Sequence, residues 1–270
     1  MTVVQPVTLI TGASAGIGMA VARVFAENGH TLALVARRDQ SLNALADEIA
    51  VSGRPRPVVI PLDLARNDAA AVIASELADR GLEPQYVVNN AGFGLLGTAA
   101  MLDRAEQLAM IDVNVRALTE LSLAFIDSLS RHKGGILNVA SVAGFMPGPR
   151  MAVYYATKAF VISFSEALHR ELKRRDIRVT VLCPGPVATE FQARAGIPDG
   201  YHPGILDWSA EQVAREGYRG LMIGRRLVVP GFGNKILTTL VPRVVPRGLL
   251  LRTIELLQSG RLKARPTRQS

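Results

Sequence analysis

VTLITGASAGIGMAVARVFAENG, residues 7–29, decides the architecture of this chain. Residues 7–11 are a short apolar, β-branched run and read as a buried strand. They lead directly into TGASAGIG, residues 11–18, and a helical pattern follows from Gly16 to Asn28 with Gly29 as its stop. Strand, glycine loop, helix is the context that a dinucleotide phosphate site requires. Gly12 permits the tight turn, Gly16 lets the backbone approach a pyrophosphate, and Gly18 lets the helix pack closely on the sheet. The helix N-terminus presents unpaired N–H groups and a positive dipole end to the anion.

The remainder of the chain repeats the alternation. Strands are expected at 7–11, 31–36, 57–62, 85–90, 134–140, 177–183 and 227–230, with helical stretches between them. This predicts an α/β fold with a parallel sheet covered by helices on both faces, the doubly wound arrangement. Ligands on such folds bind beyond the carboxyl ends of the strands. The polar motifs obey that rule: Arg37 follows strand 2, Asp63 follows strand 3, NNAG closes strand 4, Ser141 closes strand 5 and Pro184-Gly185 closes strand 6.

YYATK, residues 154–158, reads as a proton-transfer site. Tyr154 and Lys158 are four residues apart and share one helix face. A phenol with a pKa of about 10 is a poor acid at neutral pH, and a nearby ammonium is expected to lower that value. Ser141 can donate a hydrogen bond to the oxygen that Tyr154 would protonate.

T-G-x-x-x-G-x-G at 11–18, NNAG at 89–92, Ser141, Tyr154, Lys158 and Pro184-Gly185 follow one another in order from about residue 7 to about residue 190. Together they resemble the short-chain dehydrogenase/reductase family. The resemblance implies a Rossmann fold with a seven-stranded parallel sheet in the order 3-2-1-4-5-6-7. It also implies hydride transfer between a nicotinamide cofactor and a carbonyl/alcohol pair. Asn114, within the helical stretch 103–131, matches the family's fourth catalytic residue beside Ser141, Tyr154 and Lys158, and there holds a water that links Lys158 to solvent. Otherwise Asn114 is a polar group satisfied at a helix bend.

Cofactor contacts follow from the same resemblance. They fall on Gly12, Ser14, Ala15, Gly16, Ile17 and Gly18 of the loop, Asp63 and Leu64 beside the adenine, and Asn89 at the ribose. Ala91 and Gly92 follow, then Tyr154, with Lys158 on the nicotinamide ribose. Pro184, Gly185, Val187 and Thr189 would meet the carboxamide. Strand 2 ends LALVARR, residues 32–38, with Ala36 where an NAD-selective site commonly places a carboxylate. Arg37 comes next, and a guanidinium suits a 2′-phosphate. NADP(H) is therefore expected, with Arg37 the principal contact and Arg38 a second.

An NADPH-dependent carbonyl reductase is the expected function. An epimerase or dehydratase on the same scaffold often uses a tightly held NAD, which Arg37 argues against. The alternative is a cofactor-binding regulatory protein without turnover, against which the intact Asn114, Ser141, Tyr154 and Lys158 set argues. Residues 190–226 correspond to the family's helical lid and hold Phe191, Ile197, Tyr201, Leu206 and Trp208, with Gly196, Gly200 and Gly204 as hinges. Ser209 to Gln212 reads as a capping box. With Phe93, Phe145, Met146, Met151 and Tyr155 near the cofactor motifs, an apolar or acyl substrate is expected rather than a charged sugar.

At 270 residues with 49% apolar composition, the chain can build one large core. Residues 1–232 are expected to form the catalytic domain and 233–270 a basic helical extension of it. Neither a signal peptide nor a spanning helix is expected, and the lone Cys183 permits no internal disulfide, so a cytoplasmic protein is the expectation. The four histidines have no metal-ligand spacing, and no metal site is expected. A homodimer or homotetramer through the helices at 103–131 and 153–175 is what the resemblance implies.

The net charge of +8 is uneven: from Arg219 onward eleven Lys/Arg face one acid, Glu255, giving +10 against −2 for the rest. Residues 233–258 read as two short helices separated by Pro242 and Pro246, with an apolar stripe of Leu250, Ile254 and Leu257. The stripe can pack on the body or a partner subunit, or lie on an anionic membrane surface. Packing is preferred because amphipathic helices usually bury their stripe in protein. Nucleic-acid binding is not expected, since no recognised fold or aromatic interleaving accompanies the charge.

Overall fold

Successive residues of a strand point to opposite faces of its sheet, so a strand apolar at every position must be covered on both sides. The computed structural model, which describes residues 4–198 and 208–263, meets that demand. Leu9, Ala33, Val87, Ile136 and Val179 face one layer. Their chain neighbours Ile10, Leu34, Val88 and Leu137 face the other.

The strands are β1 Gln5–Thr11, β2 Leu32–Ala36, β3 Val58–Pro61, β4 Leu82–Asn89, β5 Gly135–Val139, β6 Arg178–Leu182 and β7 Leu227–Val228. They form one seven-stranded sheet in the order β3-β2-β1-β4-β5-β6-β7, every pair parallel. The order reverses beside β1, between β2 and β4, which opens the crevice that ligands of doubly wound sheets use. β4 starts three residues earlier than the sequence predicts. Pro84 hides it, because proline reads as a strand breaker, yet the register with β1 shifts between Val7 and Thr8, next to Pro84.

One layer is built from α1 Gly16–Glu27, α2 Asp39–Val51 and α9 Ala210–Met222, around Phe25, Leu42 and Leu221. The other comes from α3 Ala69–Ala78, α5 Leu118–Ala124, α6 Ile126–Arg131 and α7 Ala152–Leu172, around Ile73, Leu121, Leu129 and Leu168. The stretch expected as a helix over 103–131 is broken: α4 Arg104–Ile111 passes into a π-helical turn, Asp112–Ala117, before α5 begins. Asn114 sits in that turn. Short α8, Glu190–Ala195, ends at Gly196 in the left-handed region (φ 75°), so this expected hinge is a helix stop. The capping box of α9 forms as predicted, Ser209 and Gln212 each accepting a backbone N–H of the other.

The C-terminal segment holds three helices rather than two: α10 Phe232–Thr239, α11 Val241–Val244 and α12 Arg247–Lys263. Pro242 does not separate helices. It lies in the first turn of α11, where its missing N–H costs nothing. Leu250 and Ile254 of α12 are buried, whereas Leu257, expected in the same stripe, is exposed.

Gly18 fixes how closely α1 approaches the sheet. A Cβ there would lie 2.2 Å from the Gly12 carbonyl oxygen and 2.3 Å from Asn90 Nδ2. The carbonyl cannot yield without moving the loop. Gly18→Ala is expected to cost about 1–3 kcal/mol, the usual range for overpacking. Urea unfolding checks this; an unchanged midpoint contradicts the tight contact.

Candidate active site

The C-terminal ends of β1, β4, β5 and β6 converge on one edge of the sheet. After β1 the chain turns through Gly12 (φ 66°) and Gly16 (φ 54°), conformations that favour glycine. Ala15 precedes α1 with an extended backbone and no side-chain cap, and the first turn holds no acid. The α1 N-terminus is thus a receptive end for an anion. A Cβ on Gly12 would meet Ala91 Cα at 2.8 Å, so the loop rests directly on the turn after β4.

Two side chains tie those loops together. Thr11 Oγ1 accepts the N–H groups of Asn90 (3.0 Å) and Ala91 (3.1 Å). Asn90 Nδ2 donates to the carbonyls of Thr11 (3.0 Å) and Gly12 (3.2 Å). Asn90, the second residue of NNAG, thus joins the two loops. Asn89, expected at the ribose, points its amide into the protein, donating to Ser122 Oγ (3.0 Å) and Asn138 Oδ1 (2.9 Å). Alternation along the strand is the reason: adjacent residues face opposite ways. Asn89, Leu64, Ala91 and Val113 line a small recess at this edge.

Arg37 and Arg38 follow β2 as expected, with different company. Arg37 is exposed and 4.0 Å from Asp63. Arg38 lies on the glycine loop: its Nη2 donates to the Ser14 carbonyl and hydroxyl, each at 3.2 Å, and its Nη1 pairs with Glu190 of α8 at 2.8 Å. Glu190 was not singled out from the sequence.

Ser141 caps the short 3-10 turn Val142–Phe145, accepting the Ala143 N–H at 3.1 Å. Tyr154 stands in the first turn of α7, buried, with its phenol near enough to the Ser141 hydroxyl for that group to favour its ionised form. Lys158, one turn on, is buried; its Nζ donates to the Val139 carbonyl at 2.9 Å and lies 5.9 Å from the Tyr154 ring centroid. Burial pushes the Tyr154 phenol well above its ordinary pKa, the Ser141 hydrogen bond only partly opposing it. Burial likewise lowers the Lys158 ammonium to about 8. Desolvation, rather than Lys158, therefore sets the net direction of the phenol's shift, opposite to the lowering expected from the sequence. The ammonium is turned to a backbone carbonyl, and desolvation of the phenol dominates.

Asn114 is wholly buried and clamps the loop after β4. It accepts from the Phe93 N–H (3.1 Å) and donates to the Phe93 carbonyl (3.0 Å) and Thr157 Oγ1 (3.1 Å). A Cβ on Gly92 would meet Asn114 Oδ1 at 2.9 Å and Lys158 Nζ at 3.5 Å, so Gly92, Asn114 and Lys158 share one small space. Pro184 closes the edge with a carbonyl 3.5 Å from Ser141 Oγ. Val187 accepts from Gln192 Nε2 at 2.8 Å, and Thr189 caps α8 facing Gly16. Against Gly185 packs the amide of Asn234, from α10.

Apolar side chains pack beside Tyr154. Phe191 lies 5.3 Å from the Tyr154 ring, and Leu95, Leu96, Met110, Met151 and Ile197 complete the cluster with Phe93 and Tyr155. Phe145 instead packs with Ile162 and Cys183. Trp208, expected in the lid, packs on the opposite layer with α1. Tyr201, Leu206, Gly200 and Gly204 fall outside the described residues. The tail contributes unexpectedly: Gln258 is buried and donates to the Tyr155 hydroxyl at 3.1 Å, and Leu262 joins the apolar cluster. The sequence carried a signal for Gln258, a polar residue continuing the i, i+4 stripe of Leu250 and Ile254.

Comparison with known proteins agrees with this geometry. The family model for short chain dehydrogenases matches residues 6–198. Sulfoacetaldehyde reductase 2 of Chromohalobacter salexigens is 38% identical over 188 residues, 68% of this chain and 74% of that protein. An 11-beta-hydroxysteroid dehydrogenase-like protein of Arabidopsis thaliana is 30% identical over 251 residues, 92% of this chain and 81% of its own. Among solved structures, a short-chain dehydrogenase from Sphingobium yanoikuyae in complex with NADPH superposes with a TM-score of 0.76 at 29% identity, covering 98% of both chains.

The buried lysine makes a stability prediction. Lys158 releases its proton near pH 8 in the folded chain, against 10.5 ordinarily. Between those values the unfolded chain holds the extra proton, so stability rises with pH, by at most about 1.4 kcal/mol per unit. Above pH 10 the raised Tyr154 phenol acts in the opposite sense. Denaturant unfolding of the ligand-free protein from pH 7 to 10 should show the rise, and Lys158→Met should flatten it. Identical pH profiles for the two proteins contradict the assignment.

Proposed function

Because the chain belongs to the short-chain dehydrogenase/reductase family and is thereby an NAD(P)-dependent oxidoreductase of alcohol and carbonyl groups, we propose that it reduces an apolar carbonyl compound with NADPH. The observation that carries this reading is the buried Tyr154 phenol beside Ser141, one turn from Lys158 and packed against an apolar cluster. The nicotinamide supplies the hydride.

The resting proton on Tyr154 suits the reductive half of a reversible reaction. A phenol held protonated at neutral pH already carries what reduction consumes, and an alkoxide is a far stronger base than a phenolate. Ser141 polarises the carbonyl oxygen, Tyr154 protonates it, and the resulting phenolate gains from the Lys158 ammonium and the Ser141 hydroxyl. Oxidation would have to begin from a buried phenolate, which desolvation disfavours. Asn114 holds the loop at Gly92 and Phe93 in register with Lys158.

NADPH is favoured by Ala36 at the end of β2, in place of the carboxylate that an NAD-selective site commonly carries, and by two arginines at the same corner. Arg37 and Arg38 would bracket a 2′-phosphate beside Ser14, with Arg38 leaving Glu190 to do so. Gly12, Gly16 and the uncapped α1 N-terminus fit the pyrophosphate, and Thr189, opposite Gly16, fits the carboxamide end. A homo-oligomer through the α4–α5 face and α7 is supported by the exposure of Leu108, Ile111, Leu123 and Phe160 there.

Turnover of NADPH against a panel of apolar ketones, aldehydes and 3-oxoacyl thioesters tests the reading. Consumption on one class is expected, lost by at least about a thousandfold in Tyr154→Phe with NADPH affinity retained. NADPH binding without consumption of any class would leave a cofactor-sensing protein instead. The rate of reduction should hold through neutral pH and fall only in alkali, while the reverse oxidation rises with pH. Arg38→Ala should weaken NADPH about 10- to 100-fold, the worth of a charge-assisted pair, and leave NADH unchanged.

A further inference from the structure

We propose that the face formed by α10, α11 and the outer side of α12 is a docking surface for an anionic lipid bilayer. Phe232, Ile236, Leu240 and Val244 recur every fourth residue, and all are exposed, Phe232 by 79% and Val244 by 68%. Phe232 and Ile236 lie one turn apart on α10, and Leu240 at the junction and Val244 of α11 continue the exposed apolar run. On α12, Leu250, Ile254 and Gln258 turn inward, while Leu249 and Leu256, seven residues apart on the far side, are 57% and 74% exposed. The helix is therefore apolar on both sides, and packing on the protein accounts for only one of them.

Charge selects the occupant. Lys235, Arg243, Arg247 and Arg252 are exposed within the same segment and make no ion pair among the described residues. Glu255 is the one acid from Phe232 onward, and Arg150 lies 3.8 Å from it. Arg265 and Arg268 add to the charge in sequence. A second copy docked on this face would set arginines against arginines. An anionic leaflet complements both the apolar side chains and the unpaired cations, as interfacial helices require. Docking would be peripheral, since no helix among the described residues is long and apolar enough to cross a membrane.

The surface shares α12 with the apolar cluster beside Tyr154, through Gln258 and Leu262, so the lipid would lie against the helix that borders the Tyr155 side of the site. Lipid binding itself does not depend on the reductase reading.

Cosedimentation of the full-length protein tests the proposal, using vesicles of phosphatidylcholine with about a third phosphatidylglycerol against pure phosphatidylcholine. Binding to the anionic vesicles is expected, weakened at least about tenfold by neutral lipid or by half-molar salt. Phe232→Ser with Ile236→Ser, and separately Arg243→Gln with Arg247→Gln, should each lower it by about tenfold or more. All four positions are exposed, so thermal unfolding and NADPH binding should stay as in the parent. Three results would overturn the proposal: no binding to anionic vesicles, binding indifferent to both double variants, or light scattering in which Phe232→Ser with Ile236→Ser splits a stable oligomer of the lipid-free protein.

Discussion

A lysine ammonium without solvent must be given a partner, and in this chain Lys158 finds one in the carbonyl of Val139, the last residue of β5. Burying such a charge unpaired is costly, so this contact constrains its surroundings. It requires α7 to pass the carboxyl end of β5 at one height and one rotation. Tyr154, one turn earlier, is then delivered beside Ser141, which follows β5 two residues after the anchoring carbonyl. Gly92 is part of the same constraint, because a Cβ there would lie 2.9 Å from Asn114 Oδ1 and in contact with Lys158 Nζ.

Behind the edge runs a second set of buried polar contacts. Asn89 of β4 donates to Asn138 of β5, which donates to Ser165 of α7 at 2.9 Å, while Ser122 of α5 accepts from Asn89. These bonds cross from strand to strand and from sheet to helix, where apolar contacts alone would tolerate sliding. Asn89 Oδ1 alone in this set lacks a partner, and the paired groups favour one arrangement of strand and helix. The Thr11–Asn90 contacts do the same for the glycine loop, so the two halves of the crevice are fixed to each other through β4.

The parts legible in sequence were those with a short-range physical cause. Glycine at Gly12, Gly16 and Gly18 is demanded by φ values and close approaches within the loop and its neighbour. The seven strands announced themselves because both faces are apolar. Long-range pairing was not legible. Nothing local says that Arg38 meets Glu190 across the crevice, that Trp208 folds onto α1, or that Gln258 reaches Tyr155 from 103 residues away. Asn89 and Asn90 are adjacent and alike, and only the phase of β4 decides which one faces the loop. The sign of the Tyr154 shift was misread for a related reason. Spacing places a lysine nearby, but it cannot say where the ammonium points or how dry the phenol is.

Carbonyl reduction at this site depends on a Tyr154 that keeps its proton until a stronger base takes it. Ultraviolet difference titration of the ligand-free protein, read as the parent minus Tyr154→Phe, isolates that phenol from the other tyrosines. The account predicts that its ionisation begins only above the ordinary value of 10.0. Ionisation near neutral pH would contradict it, since Tyr154 would then be a resident phenolate suited to oxidation, and the preference for carbonyl reduction would lose its physical basis.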